Sequence, residues 1–203
     1  MDVYLEVGTK RTFAGGLDWP GWCRNGRDEE SALQALLDYG PRYGRVVNHF
    51  IAPIGVRELH VIERLKGDAT TDFGAPGAIP AADGESLEEA ALRDWMAMLA
   101  ACWASFDAAV DAARGRELST GPRGGGRALE AIVEHVQGAH ASYARKAGGT
   151  ADFEQSVVSR WRGEVPDVGP RGGSRWPPRY AIRRAAWHVL DHAWEIEDRA
   201  GLA

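Results

Sequence analysis

The sequence predicts an α+β protein in which a small strand–strand–helix–strand unit, residues 1–66, precedes a bundle of four helices, residues 86–203. Apolar residues alternate near the start of the chain, and they recur at helical spacing after residue 86. The segment 67–85 between the two patterns is rich in Gly, Ala, Pro and Asp and follows no period. We expect this segment to form a linker or a covering loop.

The first strand is predicted from "DVYLEVG", in which Val3, Leu5 and Val7 alternate with Tyr4 and Glu6. This alternation is typical of a half-buried strand. The following "RTFAGGL" is predicted to return as an antiparallel partner. The next stretch, "DWPGWCRNG", is punctuated by proline and glycine, so we expect it to be a loop.

A helix followed by a third strand completes the predicted first unit. The helix lies in "RDEESALQALLDYGPRYGRVV", which places acids in its first turn and is ended or kinked by Gly40 and Pro41. The strand is predicted in "RELHVIERLKG". Within this unit, "AGGLDWPGWCRNGRDEESALQALLDY" resembles the opening of HicB-like small α/β domains, where a strand, a Pro-Gly turn and an acid-started helix follow one another.

The four helices of the predicted bundle each carry an apolar stripe. The first is predicted in "SLEEAALRDWMAMLAACWASFDAAVDAAR", where Ser86 and Glu89 have the spacing of a capping box. The apolar faces of the four predicted helices need one another for burial, which favours a bundle. The other three helices are predicted in "GGGRALEAIVEHVQGAHASYARKAGG", "DFEQSVVSRWRGEV" and "PRYAIRRAAWHVLDHAWEIEDRAG".

Composition narrows the class of protein. The chain has 203 residues, of which 44% are hydrophobic, and a net charge of −5, which argues against a nucleic-acid partner. We find no signal-peptide pattern and no apolar run of membrane-spanning length, so we expect no membrane partner. Cys23 and Cys102 lie far apart and are predicted to be buried hydrophobic residues outside any disulfide, which favours a cytoplasmic location.

Two histidines one helical turn apart mark the predicted last helix. His188 and His192 fall beside its apolar stripe, and an i, i+4 pair of imidazoles can reach one divalent ion. The second bundle helix offers His135 beside its own stripe as a third ligand, and His140 nearer the middle of that stripe. An alternative interpretation remains open, in which these are hydrogen-bonded residues of a metal-free bundle and His140 is a core residue.

The segments "LEAIVEHVQGAHASY" and "WHVLDHAWEIEDR" resemble the DinB-like superfamily, which includes the mycothiol-dependent maleylpyruvate isomerase N-terminal domain and the bacillithiol transferases. That family is a four-helix bundle whose three histidines hold a divalent metal. The resemblance implies that His135, His188 and His192 are the ligands. It places His140 where many members carry an acidic residue, near the site but outside the ligand set.

The resemblance also implies a chemistry. Three neutral imidazoles leave coordination positions open, and zinc, nickel, iron and manganese all suit such a site. Family members are suggested to use the ion to activate a low-molecular-weight thiol that attacks a small electrophile, which implies a small-molecule substrate. The resemblance separately implies a homodimer. Glu195 is the local candidate to orient the rings, and an ion pair with Arg199 at i+4 is its alternative role.

Other functions remain open on the sequence alone, including whether the protein is an enzyme. The HicB-like start is also compatible with a regulatory or antitoxin-like binding module that uses the bundle as an oligomerisation scaffold, and the bundle could instead be a metal-free ligand sensor. The glycine-rich segment 121–127 is predicted to be a helix connection rather than an anion loop. The arginine-bearing segment 169–180 is predicted to be either a solvated loop or a cover over the cleft.

Overall fold

The computed structural model describes residues 1–48, 58–120 and 126–202, so His49 and most of the glycine-rich segment 121–127 lie outside the described residues. The chain divides into two compact units, Met1–Ser86 and Leu87–Ala203. The first unit contains a four-stranded sheet, and the described part of the second is helical. The predicted α+β class is therefore confirmed.

The sheet of the first unit has the strand order β3-β2-β1-β4. Neighbouring strands are antiparallel in β1–β2 and β2–β3, whereas β1 and β4 are parallel. The predicted first hairpin and the predicted later strand are both present. The strands are β1 (Asp2–Val7), β2 (Thr12–Gly16), β3 (Cys23–Gly26) and β4 (His60–Lys66).

Strand β3 corrects the prediction of a loop over "DWPGWCRNG". Only the first half of that stretch turns: the Trp22 amide donates to the Trp19 carbonyl at 3.0 Å, and Gly21 has a φ of 95°, a left-handed conformation that favours glycine. From Cys23 onwards the chain pairs with β2. The strand is four residues long and carries no apolar alternation, so periodicity could not indicate it.

Strand β1 is buried on both faces, not half-buried as its alternation predicted. Tyr4 and Glu6 are 2% and 0% exposed. The Glu6 carboxylate accepts hydrogen bonds from the Thr71 hydroxyl and from the amides of Gly77 and Ala78, the last two at 2.9 Å. Segment 67–85 therefore covers this side chain, and the carboxylate is tolerated in the interior because three donors replace water.

Two helices of the first unit begin at acidic caps, Asp28 and Asp68. The Asp28 carboxylate accepts from the Ser31 amide at 2.8 Å, and the Ser31 hydroxyl accepts from the Asp28 amide at 3.1 Å. The predicted break at Gly40 and Pro41 is present, because the first helix ends before Gly40 and a second begins there. The helices are α1 (Glu29–Asp38), α2 (Gly40–Val46) and α3 (Ala69–Phe73), and a short 3₁₀ turn spans Ala81–Gly84.

The second unit is built from the four predicted helices: α4 (Glu89–Ala113), α5 (Leu129–Ala147), α6 (Phe153–Trp161) and α7 (Pro178–Arg199). Helix α7 packs against each of the other three. Its position between them explains why most of its residues are buried, polar ones included. The buried apolar residues of α7 include Ile182, Ala185, Ala186, Val189, Leu190, Ala193 and Ile196.

The predicted capping box at the start of α4 is wrong. The helix begins at Glu89, so its N-cap is Glu88, whose side chain makes no capping hydrogen bond. Leu87 is buried, and its carbonyl accepts a 2.7 Å hydrogen bond from the Trp161 indole of α6. This contact holds the chain extended through residue 87, and Ser86 lies too far before the first turn to cap it.

By length and composition, α4, with 25 residues, is also the one helix within the described ranges that could cross a membrane. This is weak evidence, since a core helix of a soluble protein passes the same test. In the second unit the stripe of α4 contacts α7. The buried members of that stripe are Leu92, Trp95, Leu99, Cys102, Phe106 and Ala109.

Replacing Glu6 tests the role of its carboxylate in the first unit. We expect Glu6→Gln to lower the free energy of unfolding by about 2 kcal/mol, because the amide group of glutamine opposes one of the buried donors. Urea unfolding followed by circular dichroism measures the change. Glu85→Gln, an exposed change in the same unit, is the control. Equal stabilities of the two variants would rule out this role.

The cysteines offer a pH-dependent prediction. Both are free and buried, as the sequence predicted, and burial raises the pKa of Cys102 to about 12. Because the thiolate is the reactive form, Cys102 stays a protonated, unreactive thiol at every pH below that value. We expect no reaction with a disulfide reagent at about pH 8 in the folded protein and full labelling in denaturant. Fast labelling of the native chain at Cys102 would show that the site is open.

Candidate metal centre

Helix α7 places two histidines in the interior of the second unit. His188 and His192 are 7% and 9% exposed. They lie one turn apart on the same helix, and their ring centroids are 4.7 Å apart. The pair is buried because it flanks the apolar stripe of a helix that is covered by three neighbours.

Helix α5 supplies the third ring. Its buried residues Ile132 and Val136 are on the packed side of the helix, and this brings the half-buried His135 to α7. The His135 ring centroid lies 5.0 Å from that of His188 and 5.0 Å from that of His192. The three histidines proposed from the sequence are therefore together, and they lie close enough to hold a metal ion.

The nitrogen positions allow a test of fit to an ion. His135 Nε2 and His188 Nε2 are 3.2 Å apart. Two nitrogens at that separation, each bonded to zinc at about 2.0–2.1 Å, subtend about 100° at the ion, which is near the tetrahedral angle. One nitrogen from each of the three rings lies within 4.8 Å of the others. Two tetrahedral ligands are roughly 3.4 Å apart, so a pair at 4.8 Å must approach by roughly 1.4 Å, which side-chain rotation can supply.

Glu195 fixes the orientation of one ring. His192 Nδ1 lies 2.7 Å from Glu195 Oε2. A carboxylate can only accept, so Nδ1 carries a proton, and in the neutral ring Nε2 is then the nitrogen with the lone pair. The other oxygen, Glu195 Oε1, accepts from Arg199 Nη1 at 2.8 Å. Both roles considered for Glu195 from the sequence are thus present in one side chain.

Arg199 connects this carboxylate to the chain between α4 and α5. It is 7% exposed, and its Nε and Nη2 donate to the carbonyls of Ser119 and Arg127 at 2.8 and 2.9 Å. The Ser119 amide donates back to the Arg199 carbonyl at 2.9 Å. Each terminal and ε nitrogen of the guanidinium therefore has an acceptor, which allows this cation to be buried.

Burial favours the neutral form of two of the three imidazoles. Burial lowers the pKa of His188 to about 2, with smaller contributions from His192 and the Arg184 cation. Burial is also the main cause of the lowered pKa of His135. The hydrogen bond from His192 is the main cause of the lowered pKa of Glu195. At neutral pH, His135 and His188 therefore carry lone pairs, and Glu195 is ionised.

The structure places His140 in different surroundings. It is five residues from His135 on α5, about 140° around the helix. Its ring packs between Trp103 of α4 and Phe153 of α6, with centroid distances of 4.9 and 4.5 Å. It makes no described ring contact with the three histidines. Its Nδ1 is buried without a described hydrogen-bond partner.

Two residues beside the cluster were not predicted from the sequence. Tyr143 of α5 contacts His188, with ring centroids 5.7 Å apart. The Arg184 guanidinium carbon lies 5.3 Å from the Tyr143 ring centroid and 4.5 Å from that of Trp187. The signal that could have indicated Arg184 is its position four residues before His188, which puts both side chains on one helix face.

The arginine-bearing segment 169–180 covers part of α5. The Trp176 amide donates to the Lys146 carbonyl at 3.0 Å, and the Trp176 ring packs against Tyr143 with a centroid distance of 5.1 Å. Arg175 Nη1 reaches the Arg145 carbonyl at 3.4 Å. The last part of the segment is therefore a cover at Tyr143, whereas Arg171 is exposed.

Comparisons with known proteins do not extend this description. No family model matches the chain, and the searches of curated proteins and of solved structures found no match. The DinB-like and HicB-like resemblances therefore stay predictions, and the convergence of the three histidines is the main support for a function.

The hydrogen bond at His192 can be tested without a metal. We expect the metal-free protein at about pH 8 to carry the His192 proton on Nδ1, because Glu195 holds it there. Long-range proton–nitrogen NMR of the ring measures the tautomer. Glu195→Ala should convert the ring towards the Nε2–H form, and Glu134→Ala, a change of the acid beside His135, should not. A dominant Nε2–H form in the parent protein would contradict the assignment.

Proposed function

We propose that the second unit binds one divalent metal ion through His135, His188 and His192. The observation that carries the proposal is the convergence of three ring nitrogens within 4.8 Å. Three imidazoles from two helices leave at least one coordination position for a small molecule, as catalytic rather than structural metal sites do. Zinc, nickel, iron and manganese all suit this donor set, since imidazole discriminates weakly among them.

We further propose that the protein is a metal-dependent transferase that uses a low-molecular-weight thiol and a small electrophile. This part rests on the DinB-like resemblance of the segments around the three histidines. A bound ion would supply Lewis acidity and lower the pKa of a thiol or water in the open position. That chemistry requires neutral, oriented imidazoles and a partly dehydrated site.

The chain's own residues meet those requirements. Burial keeps His188 neutral, and Glu195 holds the His192 ring in the tautomer whose Nε2 can bind. Arg199 keeps Glu195 in place and ionised. Tyr143 forms an aromatic wall on the His188 side and limits the access of water there.

Metal titration tests the ligand set. We expect the parent protein to bind close to one equivalent of zinc or cobalt, measured by elemental analysis and by cobalt absorption. The His188→Ala, His192→Ala double variant should lose about 100-fold or more in affinity, because even partners behind the ligands are worth about 10–100-fold. His60→Gln, an exposed histidine of the first unit, should bind like the parent.

The outcomes separate the two parts of the proposal. A parent protein that takes up no metal on titration would overturn the metal site. Equal uptake by the parent and the double variant would move the site elsewhere. Uptake that depends on the three histidines, without any change of the cobalt spectrum on adding small thiols, would keep the metal site and remove the thiol transferase.

A further inference from the structure

Arg184 is a cation without a counter-charge. Among the described residues, no carboxylate pairs with it, and its Nη1 is buried without a hydrogen-bond partner. It contrasts with Arg199 on the same helix, whose donors are satisfied by Glu195 and two carbonyls. A buried guanidinium nitrogen with no acceptor is costly, and an acceptor supplied by a ligand would offset that cost.

The surroundings of Arg184 restrain it without neutralising it. The guanidinium carbon lies against two aromatic rings, 5.3 Å from the centroid of Tyr143 and 4.5 Å from that of Trp187. These contacts limit the freedom of the side chain, which lowers the entropic cost of binding a ligand. A planar guanidinium held in this way is matched by a planar carboxylate with two oxygens.

Its position ties it to the candidate metal centre. Arg184 precedes His188 by one helical turn on α7, and Tyr143 contacts both side chains. The Arg184 charge is among the causes that lower the pKa of His188. A molecule in the open position of the centre would therefore lie on the helix face that also carries Arg184.

The charges favour an anion in this place. The Glu195 charge is offset by Arg199, and a divalent ion would add two positive charges to that of Arg184. Arg127 adds a further cation, whose charge acts on His135 and His188. A neutral ligand would leave this charge uncompensated in a partly buried site.

We infer that Arg184 binds the carboxylate of a small anionic ligand whose other end occupies the three-histidine centre. This inference rests on the proposed function, because it names the class of ligand that the centre takes. The ligand carries a planar carboxylate a few bonds from its metal-binding group, and Arg184 distinguishes it from uncharged analogues of the same shape.

A matched pair of thiols tests the inference in the cobalt-loaded protein. The probes are 3-mercaptopropionate and its uncharged amide, 3-mercaptopropionamide, and the thiol-to-cobalt absorption measures their binding. We expect the carboxylate to bind about tenfold more tightly than the amide, as a charge-assisted hydrogen bond predicts. Arg184→Gln should abolish this preference and leave the affinity for the amide unchanged.

Two further variants separate contact from general charge. Arg184→Lys keeps the charge but removes the planar fork, so it should lose most of the preference. Arg127→Gln removes a nearby charge but not the contact, so it should keep most of it. Equal affinity for the two thiols in the parent would overturn the inference, and so would an equal loss of preference in the Arg127 and Arg184 variants.

A metal-free arm keeps the two proposals distinguishable. Propionate added to the metal-free protein should shift the Arg184 Nε–H resonance in a saturable way, and propionamide should not. Such a shift in a protein that binds no cobalt would sustain the carboxylate contact while the proposed metal function fails. Cobalt binding with no preference between the thiols and no shift with propionate would sustain the metal site and remove the inference.

Discussion

The packing of α7 against α4, α5 and α6 is the constraint on which the candidate site depends. A helix covered by three neighbours has almost no face on which a polar residue stays in water, so His188 and His192 are taken into the interior with the apolar stripe. Burial makes the protonated imidazole costly, which is why the pKa of His188 falls to about 2. The same packing brings His135 of α5 against them. One arrangement of helices therefore provides the position of the rings and their neutral state.

The charged residues around the rings follow different physical rules. Arg199, which is buried, and Glu195, which is half-buried, form a pair whose nitrogen and oxygen atoms are satisfied by each other, by His192 and by backbone carbonyls. Such a network tolerates burial. It links the His192 ring, through Glu195 and Arg199, to the chain between α4 and α5. Arg184 has no equivalent network within the described chain, although it lies on the same helix, about four turns before Arg199. The site thus has one side that is closed by internal pairing and one side that carries unpaired positive charge.

Much of this could be predicted from the sequence because it depends on local periodicity. The four helices of the second unit follow their apolar stripes, and the i, i+4 spacing of His188 and His192 places both rings on one face. Features that depend on tertiary contacts were not predictable. Strand β3 exists through pairing with β2, and the start of α4 is fixed by the bond from Trp161 to the Leu87 carbonyl. Nor could the stripe of α5 show that His140 packs among aromatic rings on another side of the helix.

The geometry also bears on whether the three histidines are ordinary hydrogen-bonded residues of a helical bundle. A structural polar residue in an interior normally finds a complementary partner, a donor facing an acceptor. Glu195 plays that part for His192 Nδ1. His135 Nε2 and His188 Nε2 lie 3.2 Å apart, and they form a hydrogen bond only when one of the two carries a proton and the other accepts it. In the tautomers in which both of these nitrogens carry lone pairs, two acceptors face each other, an arrangement that is unfavourable in a dry interior and that a cation between them would relieve.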